Sequence, residues 1–572
     1  MKRLGAGLAL LCLTVTLEVP ALGAPGSRDS KVTAGSPSGT FPQNKQNEPG
    51  LAAALNPLAT NVLAAGANEE IDLEPCPKTA PFNDVRCPFT PGVGVSGVYF
   101  SFDGGTSWTQ PAYRGWTARD GTPDVGPIGT LPLYYESGLT SGGDPSLAFG
   151  PRPGVHGFSW ANGVRLYYAN LTENFPGKTT FDALEAIAVS RTDNVRAAAR
   201  GDEHAWMPPV IASRGLKPNF FSDKENIWAD NAASSRFFGN VYVCWTQFHG
   251  LSPTAIEPIV ISRSTNGGKN WSLPVRLSPA VHTTQNTGVQ GCTIRTDSKG
   301  VVYVFWSNAR STRGGMQMMA RSFNGGRTFT RQKPVARFVN VGRIDPLQGT
   351  FSFDGVAGAR TDPFPGVDIA NGAPAGRDAT DSIFLTWADG RRGLNHERAL
   401  VRVSTTRGFK WSKPVNAAEP GDRPDFPAVG VTPNGRKAFF TYDAFLDPWQ
   451  FGTGQPRRMQ GVVRSADVGA GKLTAFRTLH RGQIGDARAS SANSLTTEFI
   501  GDYNYAAGLR PWGGVAVWND VRDAALCPAV NSFRQSLLTQ HPLPAPWPKE
   551  DCPAQFGNTD IFGGRFTSPP GN

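Results

Sequence analysis

At 572 residues, with 66 glycines, 47 prolines, 14 tryptophans and 34 phenylalanines, the chain is long enough for several domains or one large β body, and it lacks the heptads and helical periodicity of an all-α protein. Its formal charge of +10 suits an acidic partner such as an anionic glycan, while the absence of any run of Lys or Arg excludes a nucleic-acid-binding arm. No segment beyond the leader is apolar enough to span a bilayer.

Residues 1–23, MKRLGAGLALLCLTVTLEVPALG, combine Lys2 and Arg3 with a short apolar stretch and the small residues Ala21 and Gly23. That is the pattern of a secretory signal peptide, so the chain is expected to be exported, and removal of the leader leaves a charge of +9. Residues 24–46 are polar and rich in Gly, Pro and Ser and read as a mobile arm. Six cysteines follow the leader: Cys76, Cys87, Cys244, Cys292, Cys527 and Cys552. An even count in an exported chain implies three disulfides among 15 pairings. Nearness in sequence favours Cys76 with Cys87 and Cys527 with Cys552, leaving Cys244 with Cys292. No CxxC spacing suggests zinc.

From residue 47 onward one unit recurs. It opens on a strand with an acidic or amide residue near Pro or Gly, as in NEPGLAAAL (47), GDPSLAF (143), DKENIWAD (223), VQGCTIRTD (289), TDPFPGVDI (361), PDFPAVGV (424) and GDYNYAAG (501). A second, apolar strand often ends in an aromatic, as in NVYVCWTQ (240), VVYVFWSN (301), IFLTWADGR (383) and GVAVWNDVR (514). A third strand ends in Ser and runs into a Gly-containing turn: SFDGGTSW (101), STNGGKNW (264), SFNGGRTF (322) and STTRGFKW (404). Gly supplies the positive φ, a short side-chain acceptor bonds the turn's own amides, and the closing aromatic opens a fourth strand. The turn is worn at AVSRTDN (188) and RSADVGAG (464). Seven such four-stranded units, spaced near 75 residues, predict an all-β chain folded over 47–572 as a single β-propeller of antiparallel blades. The segment beginning at Lys31 is expected to supply the last blade's missing strand.

The octet resembles the Asp-box (BNR repeat) of the sialidase, or neuraminidase, superfamily: Ser101, Asp103, Gly105 and Trp108 fit it fully, and Asn266, Asn324 and Thr406 replace the Asp elsewhere. The resemblance implies six blades as the alternative to seven. It also implies an exo-glycosidase on sialic-acid-type glycans, with an arginine triad on the sugar carboxylate, a Tyr nucleophile paired with a Glu, and an Asp as acid/base. On that basis Arg310, Arg391 and Arg522 are the expected clamp, Tyr503 the nucleophile and Asp144 the acid/base, with Asp502 beside them.

Independently of the family, propeller wiring puts innermost-strand starts on one face. Glu48, Asp144, Asp223, Gln290, Asp362, Asp425 and Asp502 are therefore expected to ring the mouth of one axial channel, where arginines, protons or cations must offset the carboxylates. Asp–Arg pairs that tie blades together are the plain structural alternative. The two loops holding the local disulfides, 69–96 and 523–558, are expected side by side on that face. Two other functions remain open: a lyase on uronate polymers, with Tyr or one of His156, His204, His249 and His396 as base, and a non-catalytic glycan- or protein-binding propeller. Oxygen ligands suffice for calcium, but no spacing demands a metal or cofactor. The expected state is a secreted monomer with a glycan partner. Asn170 and Asn270 head glycosylation sequons.

Overall fold

The computed structural model describes residues 29–56, 59–76, 86–250, 256–279, 288–311 and 314–568. The residues of the expected signal peptide lie outside that set. The strands form seven antiparallel sheets, with two short hairpins beside them, and the chain is a seven-bladed β-propeller. The innermost strands of blades 1 to 7 are Gln46–Ala53, Leu139–Gly154, Phe220–Ala229, Val289–Thr296, Gly366–Ile369, Arg423–Val431 and Tyr505–Leu509. Six blades have at least four strands; blade 1 has three, and its fourth is reduced to a single bridge between Phe100 and Thr109.

Ser30 and Lys31 close the ring. They pair with Gly563 and Phe562 on the strand Asp560–Thr567 of blade 7, and Val32 adds a backbone bond to Ile561 of 2.8 Å. From Ser30 onward the segment read as an arm lies against the body: Val32, Thr33, Asn44 and Lys45 are buried. Blade 7 thus takes its outermost strand from the opposite end of the described chain, which couples closure of the ring to long-range pairing.

Each repeated turn works at the seam with the preceding blade. In all four the Ser hydroxyl accepts from the second turn amide: Gly105 to Ser101 at 2.8 Å, and Gly268 to Ser264, Gly326 to Ser322 and Gly408 to Ser404 at 2.9 Å each. Asp103, Asn266, Asn324 and Thr406 accept from amides further on, so Asn or Thr performs the acceptor role of Asp. Gly268 has φ 79°, and a Cβ there would stand 2.7 Å from Arg191 Cδ of blade 2; close approach as well as backbone geometry demands the glycine. The blades reach back to these turns. Arg165, Arg263 and Arg321 donate to the carbonyls of Gly267, Gly325 and Arg407 in the next blade at 2.9, 3.1 and 2.6 Å.

The core is accordingly a series of interblade clusters. Trp271 packs with Tyr167 and Val189 of blade 2, and Trp411 joins Tyr303 and Phe305 of blade 4. Cys244–Cys292 crosses the seam between the second strand of blade 3 and the innermost strand of blade 4. Asn170 is fully buried and accepts from Tyr134, so its sequon offers no accessible side chain in the folded chain.

Candidate active site

The antiparallel register places the start of each innermost strand beside the end of the second: Gln46 faces Glu69, and Phe220 faces His249. Five innermost strands break register near that end, between Asn47 and Gly50, Gly143 and Ser146, Asp223 and Asn226, Gln290 and Thr293, and Asp425 and Ala428. The first residue inside each bulge adopts positive φ: Glu48 57°, Asp144 51°, Lys224 54°, Gly291 69° and Phe426 50°. Pro49, Pro145 and Pro427 follow in three of the five, and a proline cannot donate to the ladder, so the chain must bulge there. Left-handed backbone at a side-chain-bearing residue costs on the order of 1 kcal/mol and persists where surroundings impose it. Gly291 is required for a separate reason: a Cβ would sit 2.2 Å from Phe364 Cδ1.

The bulges deliver a central ion network. Lys224 Nζ lies 2.8 Å from Asp502 Oδ2, 3.2 Å from Glu48 Oε1 and 3.5 Å from Asp144 Oδ2. Arg360 clasps Asp502 with both Nε and Nη2, at 2.6 and 2.7 Å, and reaches Glu48 at 3.6 Å. Asn68 bridges Glu48, by donating at 2.7 Å, and the Asp144 amide, by accepting at 2.7 Å. Around the network opens an upper basin of about 1510 Å³ including open solvent, whose walls include Asp144, Asp223, Lys224, Arg360, Asp362 and Asp502. A second cavity of about 760 Å³ shares Lys224, Asp362 and Asp502 and adds Glu225, Tyr503 and Phe364.

Charge states diverge within this small volume. For Asp502 burial favours the neutral acid, but Arg360 and Lys224 outweigh it and hold the carboxyl well below its usual range. Burial and the charge of Asp502 push Asp362 up to about 7, although Arg360 and Lys224 oppose them. Burial and Asp144 push Glu225 well above the carboxylate range, and neither of its oxygens is hydrogen-bonded to another residue. Burial, then the carboxylates of Asp144, Glu48, Glu225 and Asp502, raises the Tyr503 phenol, whose ring centroid lies 4.4 Å from Lys224 Nζ. Carboxyls pushed apart in this way are able to hold and release protons at different stages of a reaction.

The structure brings together Glu48, Asp144, Asp362, Asp502 and Tyr503. Asp425 is buried beside them, its Oδ1 accepting from Phe426 at 3.0 Å and its Oδ2 unpartnered. The seven expected ring positions are not one equivalent set: Glu48 and Asp144 occupy the first bulge residue, whereas Asp223, Gln290 and Asp425 precede it. In blade 3 the equivalent residue is Lys224, so a cation stands where a carboxylate was expected. The shared bulge in NEPG, GDPS and DKEN is the signal that finds it, and sequence reasoning passed over both Lys224 and Glu225.

Arg391 and Arg522 do not converge on the basin. Each folds back on the aspartate two residues earlier: Arg391 to Asp389 at 2.5 and 2.7 Å, and Arg522 to Asp520 at 2.9 and 2.6 Å. Trp387 and Trp518 donate to the same aspartates, which makes a repeated Trp-x-Asp-x-Arg lock at the end of the second strand. Arg522 also holds Asp29 at 2.6 Å. Arg310 belongs to the strand Val302–Ser311, and its side chain lies outside the described residues. None of His156, His204, His249 and His396 lines the basin or the cavity. Among the described residues no group of three His, Cys, Asp or Glu is arranged to hold a metal ion.

The three disulfides pair as proximity in sequence suggested. Cys76, Cys87 and Cys527 share one hydrophobic cluster with Phe41, Val530, Phe533 and Phe556, and Arg86 donates to the Ala545 carbonyl at 2.5 Å. The two stapled loops are thus one unit on the face where the innermost strands begin. Among the described residues no helix is long and apolar enough to cross a membrane.

No family model matches the chain, and no curated protein does. Among solved structures it is similar to a Hadza microbial sialidase, with 13% identity, a TM-score of 0.38, and 70% of this chain and 63% of that one covered. Trypanosoma rangeli sialidase with the inhibitor DANA matches at 9% identity and a TM-score of 0.36, over 71% and 53% of the two chains. An α-L-arabinofuranosidase from Fusarium graminearum matches at 15% identity and 0.32, over 54% and 89%. The match spans less than two thirds of the length of either sialidase.

Proposed function

We propose that this propeller is a glycoside hydrolase that cleaves a terminal acidic sugar from a glycan where the basin meets the cavity that holds Tyr503, with Asp362 and Asp502 lining both. The observation that carries the reading is the meeting of a phenol, Tyr503, and a proton-holding carboxyl, Asp362, in one axial cavity beside two ion-paired carboxylates, Asp144 and Asp502. Tyr503 attacks the anomeric carbon as its proton passes to Asp144, whose charge is the strongest acting on the phenol. Asp362 protonates the departing glycosidic oxygen; as carboxylate it then takes a proton from the water whose oxygen attacks the anomeric carbon, the bond to Tyr503 breaks, and Asp144 returns its proton to the departing phenolate. A neutral phenol suits a substrate that bears its own negative charge near the reacting carbon, where a second carboxylate would repel it. Arg360, with its side chain 39% exposed on the basin wall, is the cation available to such a group. The clamp of three arginines is not part of this reading, because Arg391 and Arg522 line neither the basin nor the cavity.

Fluorogenic glycosides of sialic acid, glucuronic acid and neutral sugars, with uronate polymers beside them, test the proposal on the purified protein. Turnover of an acidic glycoside, lost by roughly 10²-fold or more in Tyr503→Phe and in Asp362→Asn, is the expected result. Unchanged turnover in both variants discards the site. An ultraviolet-absorbing unsaturated product from a uronate polymer replaces hydrolysis with elimination, and silence on every substrate leaves a binding propeller.

A further inference from the structure

Charge is not spread evenly around this ring. Residues 258–344, from the third strand of blade 3 through blade 4, contain ten arginines and three lysines against one acidic residue, Asp297. That segment carries +12, more than the whole chain's +10, so the remaining residues sum to −2. Asp297 does not offset it at the surface: it is fully buried and spends its oxygens on the amides of Lys299 and Val301 and on the Tyr303 hydroxyl.

The cations form an ordered row. Lys269 and Arg327 occupy the same place in the repeated turns of blades 3 and 4, directly after the second glycine. Arg276 lies on the outermost strand of blade 3, and Lys333 and Arg337 on that of blade 4, with Arg331 between turn and strand. All six are exposed, and among the described residues none forms an ion pair. Their mutual repulsion is felt nearby: burial and then the charge of Arg327 push the Arg263 guanidinium down. At about 3.3 Å per residue in a strand, Arg331 to Arg337 spans roughly 20 Å.

We infer that the rim of blades 3 and 4 is a second binding surface, none of whose six cations lines the basin, for an acidic polysaccharide. A row of cations that climbs from the turns along an edge strand, repeated on the adjacent blade, fits a linear polymer with regularly spaced carboxylates or sulfates. Three disulfides point to an oxidising compartment, where acidic polysaccharide rather than nucleic acid is the ordinary polyanion. The surface holds the protein on its polymer whether or not the basin catalyses, so the two readings stand or fall separately.

The test is binding of the full chain to immobilised polygalacturonate, with neutral dextran as the blank, over a range of salt. The variant Arg327→Ser/Arg331→Ser/Lys333→Ser/Arg337→Ser should bind roughly tenfold or more weakly at physiological salt, with a shallower salt dependence. The equally discharged variant Lys178→Ser/Arg200→Ser/Lys472→Ser/Arg477→Ser should bind as the wild type does, and so should Tyr503→Phe. Unfolding midpoints confirm that each variant is folded, and Lys333→Glu alone should weaken binding in the same direction. Equal loss in both quadruple variants, binding no better than to dextran, or preference for anionic phospholipid vesicles or duplex DNA over polygalacturonate would overturn the inference.

Discussion

Lys224, on the innermost strand of blade 3, holds its ammonium 2.8 Å from the carboxylate of Asp502, which leads into the innermost strand of blade 7. With Glu48 and Asp144 on the same cation, one side chain links blades 1, 2, 3 and 7 across the axis. Burial works against the charge on Lys224, and Asp144, Asp502 and Glu48 together raise its pKa well above the ordinary lysine value.

Removing that cation leaves, among the described residues, Asp144 without its ion pair and Glu48 and Asp502 with Arg360 alone. Lys224→Met should therefore destabilise the protein by about 3–5 kcal/mol, as breaking a buried pair from one side does. Asp502→Asn in the same chain should recover part of the loss. Denaturant unfolding of the two single variants and the double variant measures this, and a single-variant loss under about 1 kcal/mol would show the network to be dispensable.

Asp362 gives a pH dependence with a definite sign. Its pKa is about 7 in the folded chain, against about 4 for an unperturbed aspartate. The native state binds this proton more tightly, so the stabilisation is complete below about pH 4 and is lost as pH rises through about 7. Glu257, also raised to about 7 by burial, adds a loss over the same window. Unfolding measured from pH 4 to 8 should show stability declining, and the decline should be smaller in Asp362→Asn. If Asp362 is the proton donor, kcat/KM should also fall above about pH 7. An identical pH profile in wild type and variant would assign the decline to other groups.

Cys244–Cys292 closes a loop of 48 residues and staples two blades. In the chain-entropy picture that loop is worth about 4 kcal/mol, against about 3 kcal/mol for the 11-residue loop of Cys76–Cys87. Replacing Cys244 and Cys292 by Ala should lower the thermal midpoint more than replacing Cys76 and Cys87. Calorimetry decides, and the reverse order would place the stability in the stapled loops instead of the blade seam.

The repeated turn should respond as an interblade contact. Gly268→Ala imposes positive φ on alanine and drives a methyl against Arg191 and Tyr167 of blade 2, which should cost about 1–3 kcal/mol. Ser264→Ala removes the acceptor for the Gly268 amide and the hydroxyl that donates to Asn266 Oδ1, both within the turn, and should cost about 1 kcal/mol. Comparable losses in the two variants would mean that the seam contact contributes little.

The ring of blades was legible along the chain because a propeller writes its architecture locally. The four Ser-Gly turns, the strand pairs between them and the spare strand near Lys31 are each encoded within a few residues, and repetition made them recognisable. Charge pairing at the axis is not local. Lys224, Glu48 and Asp502 lie in three separate units, and the bulge that turns Lys224 rather than Asp223 onto the network changes the backbone by a single residue. The arginines illustrate the same division. Arg391 and Arg522 sit in motifs that suit either a clamp or a lock, and the folded chain closes each onto its neighbouring aspartate because that partner is two residues away and already fixed by a buried tryptophan. Composition, period and turn chemistry determined a ring of four-stranded blades, and the tertiary structure settled their number at seven; the three-dimensional meeting of unlike charges in a buried space decided which side chains hold protons there.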